Sequence, residues 1–313
     1  MFFVLYRDDI VENILNSIGT KINWKEIYIL SNIGIDEIAI KKGHNDFVVI
    51  ITAIIDGQLR IIAILENREK ATVKEFFKSI PKRLRKTVRI ICSDLYKGFV
   101  IAAKEVFGRK VLVVADRFHI AKLYRSKLDT LRTQEMQRLK KELPEDEYKK
   151  LKNIMWILRK QQSELSADDF RILNLLFKYS PSLKIAYHLC FDLTNIFDMN
   201  ITPGQARRKI HGWIRRVRNS KLTCFNSFIK TLSNYMQEIV NYFIDRSNSG
   251  FVEGINNKIK VIKRRCYGLI NLTHLFQRIK LDLEGYSFLS YKINHYGLKV
   301  HSIKLRLKVA FFG

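Results

Sequence analysis

Phe47-Val48-Val49-Ile50-Ile51-Thr52-Ala53-Ile54-Ile55-Asp56-Gly57-Gln58-Leu59-Arg60-Ile61-Ile62-Ala63-Ile64-Leu65 decides the fold. Phe47 to Ile55 is apolar apart from Thr52 and rich in β-branched residues, which fit the pleated, half-buried surface of a strand. The run is a strand length and far short of a membrane span. Asp56-Gly57 is a strong hairpin signal, because both residues tolerate the positive φ of a tight primed turn. Leu59 to Leu65 then reads as the returning strand. Toward the amino terminus, Ile33-Gly34-Ile35-Asp36-Glu37-Ile38-Ala39-Ile40 reads as another strand. Lys41 to Asp46, with Gly43 and Asn45, reads as the turn that joins it to Phe47. The result is a three-stranded antiparallel meander.

Toward the carboxyl terminus the pattern alternates. Thr72 to Ile80 reads as a helix with Thr72 as N-cap and Glu75 three residues on, stopped by Pro81. Val88 to Cys92 is a fourth strand, Leu95 to Phe107 a helix ended by Gly108, and Val111 to Val114 a fifth strand. Strands that alternate with helices imply parallel pairing through right-handed crossovers. The order β-β-β-α-β-α-β is that of an α/β, ribonuclease H-like core with a mixed five-stranded sheet. From His119 onward the sequence is almost wholly helical. A charged helix spans 119–142 and breaks near Pro144. The pattern continues over 147–177, breaks at Ser180-Pro181, and resumes over 182–198, 203–218 and 222–244, with Pro203 placed like a first-turn proline. Residues 1–30 read as a lead-in with a helical patch around Ile10 to Ile18 and no recognisable DNA-binding module.

Charge narrows the partner. Lys and Arg number 56 against 30 Asp and Glu, a net charge of +26, while 47% of the residues are hydrophobic. A globular chain with that excess self-repels unless a polyanion neutralises it. Nucleic acid is the leading candidate and an anionic membrane surface the second. Cys92, Cys190, Cys224 and Cys266 are scattered, and make neither a zinc knuckle nor a disulfide framework. The opening Met1 to Asp9 lacks the charged-then-apolar order of a signal peptide. A reducing cytoplasm is the expected compartment.

Three carboxylates stand out. Asp36 lies mid-way along the first strand and Asp94 at the carboxyl end of the fourth, and in a ribonuclease H-like sheet these strands lie side by side. An ionised carboxylate on a central strand is costly unless it is paired, hydrogen-bonded or bound to a cation. Glu253 is the third. It lies in Asn248-Ser249-Gly250-Phe251-Val252-Glu253-Gly254-Ile255-Asn256-Asn257-Lys258-Ile259-Lys260-Val261-Ile262-Lys263-Arg264-Arg265-Cys266, a loop that opens a helix. Val252, Ile255, Ile259, Ile262 and Cys266 form its apolar stripe. Glu253, Asn257, Lys260 and Arg264 share another face. Three hard oxygen ligands suit Mg²⁺ or Mn²⁺, and paired ions support in-line phosphodiester attack. Structural readings compete at each position. Asp36 could sit on the surface near a hairpin, Asp94 could be a helix N-cap, and the Glu253 helix could be a capped, solvated basic surface. Asp116 could be an accessory ligand, a cap or a partner of Arg117. His119 reads as structural or phosphate-contacting, and Trp213 as a core anchor more than a base-stacking platform.

Together, Ile35-Asp36-Glu37, Ser93-Asp94-Leu95-Tyr96-Lys97-Gly98-Phe99, Ala115-Asp116-Arg117-Phe118-His119-Ile120-Ala121-Lys122-Leu123 and Ser249 to Lys260, with Arg264-Arg265-Cys266-Tyr267-Gly268, resemble the DDE transposases of bacterial insertion sequences of the ISL-three type. The resemblance covers roughly residues 30–285. It implies that Asp36, Asp94 and Glu253 are the catalytic, metal-binding triad, with Mg²⁺ or Mn²⁺ as cofactor. It implies an all-α insertion between Asp94 and Glu253, and DNA cleavage and strand transfer. Asn257, Lys258, Lys260, Lys263, Arg264 and Arg265 would bind DNA, the five cations through its phosphates, and Asp116 and His119 are accessory candidates. The implied partners are element ends, target DNA and further copies of the chain, with no membrane. The expected layout is a lead-in over 1–30, the first part of the core over 31–124, the all-α insertion over 125–245, the catalytic helix over 246–290 and a basic tail over 291–313. Family members usually carry an amino-terminal zinc-binding and helix-turn-helix region. Here the core begins almost at Met1, so the chain reads as truncated. The alternative expectation is a non-catalytic DNA-binding remnant. A nuclease acting on RNA–DNA hybrids fits less well, given the long helical insertion.

Overall fold

The computed structural model describes residues 22–39, 47–246, 259, 261–262 and 271–283. The helical patch at Ile10 to Ile18, the turn at Lys41 to Asp46 and the basic tail lie outside the described residues. Five strands form one sheet: β1 (Asn32–Ala39), β2 (Phe47–Ile55), β3 (Gln58–Leu65), β4 (Ile90–Ser93) and β5 (Leu112–Ala115), in the order β3-β2-β1-β4-β5. This is the mixed α/β core expected from the sequence. The chain divides into two compact units, one of Met1–Ile91, Tyr96–Val111 and Phe251–Gly313, the other of Cys92–Leu95 and Leu112–Gly250.

In the first unit β1 pairs antiparallel with β2, and β2 with β3. The β2–β3 turn is Asp56-Gly57 with φ of 52° and 72°, the two consecutive positive values that a type I′ turn requires. The β2–β3 register shifts between Ile51 and Thr52, a bulge at a point where the sheet stays paired on either side. This unit includes the helices α1 (Lys70–Ser79), α2 (Lys82–Arg85) and α3 (Lys97–Phe107), and the helical residues 272–283. Phe77 of α1 meets Phe107 of α3 edge-on at 5.0 Å. Gly108 closes α3 with φ 77°, a conformation that favours glycine. Helix α1 begins at Lys70, two residues before the expected Thr72. Its N-cap is Glu69, which makes no side-chain cap bond. Asn67 Oδ1 accepts from the Glu69 amide instead, so the entry turn is built upstream of the threonine.

The second unit is helical around β5: α4 (Arg117–Glu142), α5 (Glu145–Lys149), α6 (Ile154–Ile157), α7 (Ala167–Tyr179), α8 (Pro181–Asp198), α9 (Pro203–Asn219), α10 (Asn226–Asn234) and α11 (Met236–Asn241). The long helix before Pro144 and both proline-led helices match the sequence pattern. Residues 147–177 do not form one helix. Asn153 adopts the left-handed conformation, with φ 65°, and separates α5 from α6. Residues 222–244 likewise split at Tyr235, between α10 and α11. Trp213 is fully buried, donates its Nε1–H to the Leu189 carbonyl at 2.7 Å, and meets Phe225 and Phe228 edge-on. It is a core anchor. Burying roughly 200 Å² of indole at about 25 cal/mol/Å² is an upper bound of about 5 kcal/mol. Among the described residues, no helix is long and apolar enough to cross a membrane.

Candidate active site

Asp36 occupies the middle of β1 and is only 6% exposed. Its cross-strand partner is Ile50, while Ile38 faces Val48 and Gly34 faces Thr52. Directly opposed residues of an antiparallel pair project to the same side of the sheet. Asp36 therefore shares a face with Ile38, Val48 and Ile50. Those three residues, with Ile61, form one core cluster with Ile259, Ile262, Leu275, Phe276 and Ile279. The helical residues that follow Glu253 in sequence are thus packed on the face that carries Asp36. Ile259 and Ile262 are buried and Val261 is turned outward, as the apolar stripe required. The surface alternative for Asp36 does not hold. Glu37 projects to the opposite face, where it pairs with Arg68 at 3.3 Å. The Arg68 guanidinium lies over the rings of Phe47 and Tyr96, at 5.1 and 5.2 Å. One strand thereby separates its two acids by chemistry as well as by side.

Asp94 belongs to the second unit and follows the last residue of β4. The Ser93 hydroxyl donates to the Asp94 carbonyl at 2.8 Å. Ser93 also accepts from the Asp116 amide at 2.9 Å, so the carboxyl ends of β4 and β5 are tied together where these two acids emerge. The N-cap alternative for Asp94 does not hold, because α3 starts at Lys97 with Tyr96 as its N-cap. Burial raises the pKa of the Tyr235 phenol above its ordinary value, and the charges of Glu238 and Asp94 add to the shift.

Asp116 is the N-cap of α4. It is 2% exposed, accepts from the Phe118 amide at 2.8 Å, and turns its other oxygen toward His119 Nδ1 at 3.1 Å. Both oxygens are engaged locally, which is the cap among the three readings. Arg117 is no partner of Asp116. It pairs with Asp198 and donates to the Tyr242 hydroxyl at 3.3 Å. Asn241 Nδ2 donates to the Val113 carbonyl at 2.9 Å and fixes α11 to β5 beside this segment. Sequence reasoning missed the Arg117–Asp198–Tyr242 cluster. The only early signal was an arginine inside the Asp-Arg-Phe-His motif. The second unit also holds a cavity of about 780 Å³ lined by Arg117, Arg125, Arg159 and Lys160 with Tyr187 and Phe191. Arg159 and Lys160 are paired with Asp129 and Asp169.

Glu253, Asn257, Lys258, Lys260, Lys263, Arg264 and Arg265 lie outside the described residues. Among the described residues no three His, Cys, Asp or Glu converge on one point to hold a metal. The donor types nevertheless suit a hard divalent cation. Asp36 offers a carboxylate on a largely aliphatic face, Asp94 another at a strand end, and both are oxygen ligands of the kind Mg²⁺ prefers. Cys92, Cys190 and Cys224 are free thiols, and burial pushes the Cys190 thiol far above the ordinary thiol range.

A mixed five-stranded sheet of this order, followed by a long helical region, defines a ribonuclease H-like fold. The profile of the ISL-three DDE family, described as transposase, matches residues 33–279, and the chain belongs to that family. The transposase for insertion sequence element IS1001 of Bordetella parapertussis is 26% identical over 264 residues, which cover 84% of this chain and 63% of that protein. The chain therefore spans less than two thirds of the length of the curated relative it matches.

Proposed function

We propose that this chain carries the catalytic machinery of an insertion-sequence transposase, which cleaves DNA at element ends and transfers strands into a target. Asp36, Asp94 and Glu253 are its catalytic triad, and the same three carboxylates hold two Mg²⁺ or Mn²⁺ ions. The observation that carries this reading is Asp36. It is a nearly fully buried carboxylate on a largely aliphatic sheet face, and the helical residues following Glu253 pack on that face. Its supports are the family match across residues 33–279 and the position of Asp94 where β4 ends. Held by those carboxylates, a metal pair would supply activation of a water or 3′-hydroxyl and stabilisation of the leaving oxygen.

The protein's own residues divide the remaining tasks. Asn257, Lys258, Lys260, Lys263, Arg264 and Arg265 hold the DNA backbone near the scissile bond. Phosphate contacts of that kind set register without reading sequence. Asp116 and His119 act one step away, by fixing the start of α4 beside the ends of β4 and β5. DNA is the partner, the active form is an oligomer assembled on it, and the work is done in the cytoplasm, where the DNA is.

The test is nicking of supercoiled plasmid in Mn²⁺ by wild type and Glu253→Gln, with a metal-free control. Breakage that needs both the metal and Glu253 is the expected result. Breakage that survives Glu253→Gln overturns the triad. Salt-sensitive binding with no breakage by wild type, even on an element end, overturns the enzyme reading and leaves a DNA-binding protein.

A further inference from the structure

Helix α9 (Pro203–Asn219) carries Arg207, Arg208, Lys209, Arg215, Arg216 and Arg218 and no acid. Its inner face is fixed by Ala206, Ile210, Trp213, Ile214 and Val217, all buried. At about 100° per residue the opposite face holds Gly204, Arg208, His211, Gly212, Arg215 and Asn219, with Lys209 and Arg218 at its margins. Two cations at the sides are engaged: Arg207 with Gln237 and Arg216 with Asp192, each at 2.7 Å. Arg208, Lys209, Arg215 and Arg218 are exposed, and no acid pairs with them among the described residues.

Gly212 is the second, independent feature. A glycine inside a helix is unfavourable relative to alanine, and two ordinary reasons for one are absent here. Its φ is not positive, unlike those of Gly57 and Gly108. A Cβ built on it would meet nothing within 4 Å, so internal packing does not demand its small size. Gly212 lies between Arg208 and Arg215 on the outward face, where an absent side chain lets an external body approach the helix backbone. Arg208 and Arg215 are two turns apart, about 10.5 Å along a rigid rod. That separation is close to the roughly 12 Å width of the DNA major groove. A membrane surface does not fit, since an interfacial helix needs apolar residues facing out and those of α9 all face the core.

We propose that the outer face of α9 docks the sugar–phosphate backbone of duplex DNA. Arg208, Arg215 and Arg218 contact phosphates and Gly212 provides the close approach. The inference rests on the DNA-acting reading above, but concerns a surface in the other unit from Asp36. The test is fluorescence anisotropy of the full chain with a labelled random-sequence duplex across a KCl titration. The triple variant Arg208→Gln, Arg215→Gln, Arg218→Gln should lose about 0.9 in the slope of log affinity against log salt for each contact removed. A control that replaces the exposed Lys140, Lys141 and Lys152 by Gln should keep most of the slope. Gly212→Ala should hold or raise the melting temperature while binding weakens several-fold. An unchanged slope in the triple variant, or an equal fall in the control, overturns the proposal and leaves the active-site reading intact. Absence of salt-dependent DNA binding by wild type overturns both.

Discussion

Asp36 in the middle of β1 and Asp116 at the foot of α4 are both almost fully buried carboxylates, and their surroundings assign them opposite work. Asp116 spends one oxygen on the Phe118 amide and faces the other to His119, all within one helical turn. Its burial is explained by the helix it starts. Asp36 stands on a strand opposite Ile50, on a face that also carries Ile38, Val48, Thr52 and Ile61. Nothing about β1 as a strand requires an acid there. Burial alone therefore does not mark a catalytic acid. The informative quantity is how much of the carboxylate's hydrogen-bonding capacity its own secondary structure consumes.

The largest effect should come from Asp36. Asp36→Asn keeps the shape and removes the charge, so nicking in Mn²⁺ should fall about 1000-fold or more, equivalent to roughly 4 kcal/mol of barrier. The melting temperature should stay within a few degrees of wild type. A variant that nicks normally would place Asp36 with Asp116 as a structural acid and end the contrast. Asp116 should behave in the reverse manner. Asp116→Ala removes a side-chain cap, which costs about 1–2 kcal/mol of stability. Thermal melting followed by circular dichroism should drop by several degrees. The protein that remains folded should keep most of its nicking. Full loss of cleavage in a folded Asp116→Ala protein would promote this acid to the active site.

The difference between the two acids was only half legible in the sequence. Strand β1, the Asp56-Gly57 turn and the five-strand order were written in β-branched runs and one dipeptide, because period and turn chemistry are local. The packing of Ile259 and Ile262 was legible for the same reason, from a stripe at helical spacing. Asp116 was left between three roles, since a cap is decided by where a helix starts, and that is a property of the folded chain. Asp94 misled in the other direction. Aspartate is a good N-cap, yet α3 begins three residues later, at Lys97. The breaks at Asn153 and Tyr235 carried no proline or glycine. On either side of Tyr235, Leu232 and Met236, Ile239 and Val240 are all buried. Continuous apolar periodicity there concealed two short helices instead of one.

A third carboxylate sharpens the comparison at its weak end. Glu105 of α3 is solvent-accessible and receives Lys70 and Lys74 of α1, both at 2.5 Å. Hydrogen bonds from Lys70 and then Lys74 hold its pKa down to about 2, against an ordinary 4.5. A carboxyl with a depressed folded-state pKa adds stability that is fully present above the unfolded value and fades as protons are forced onto it. Its contribution should therefore be complete above pH 4.5 and lost as pH falls toward 2. Solvent and salt screen an exposed cluster, so at neutral pH Glu105→Gln should shift melting only slightly. The readout is the difference in melting temperature between pH 6 and pH 3, which should narrow in Glu105→Gln and narrow in wild type when salt is raised. An unchanged difference would mean that the two lysines do not hold Glu105 in solution. Either outcome bears on the ranking, because Glu105 is held by two lysines and is nonetheless expected to matter least. Partners in water count for less than one buried carboxylate that its own strand does not need.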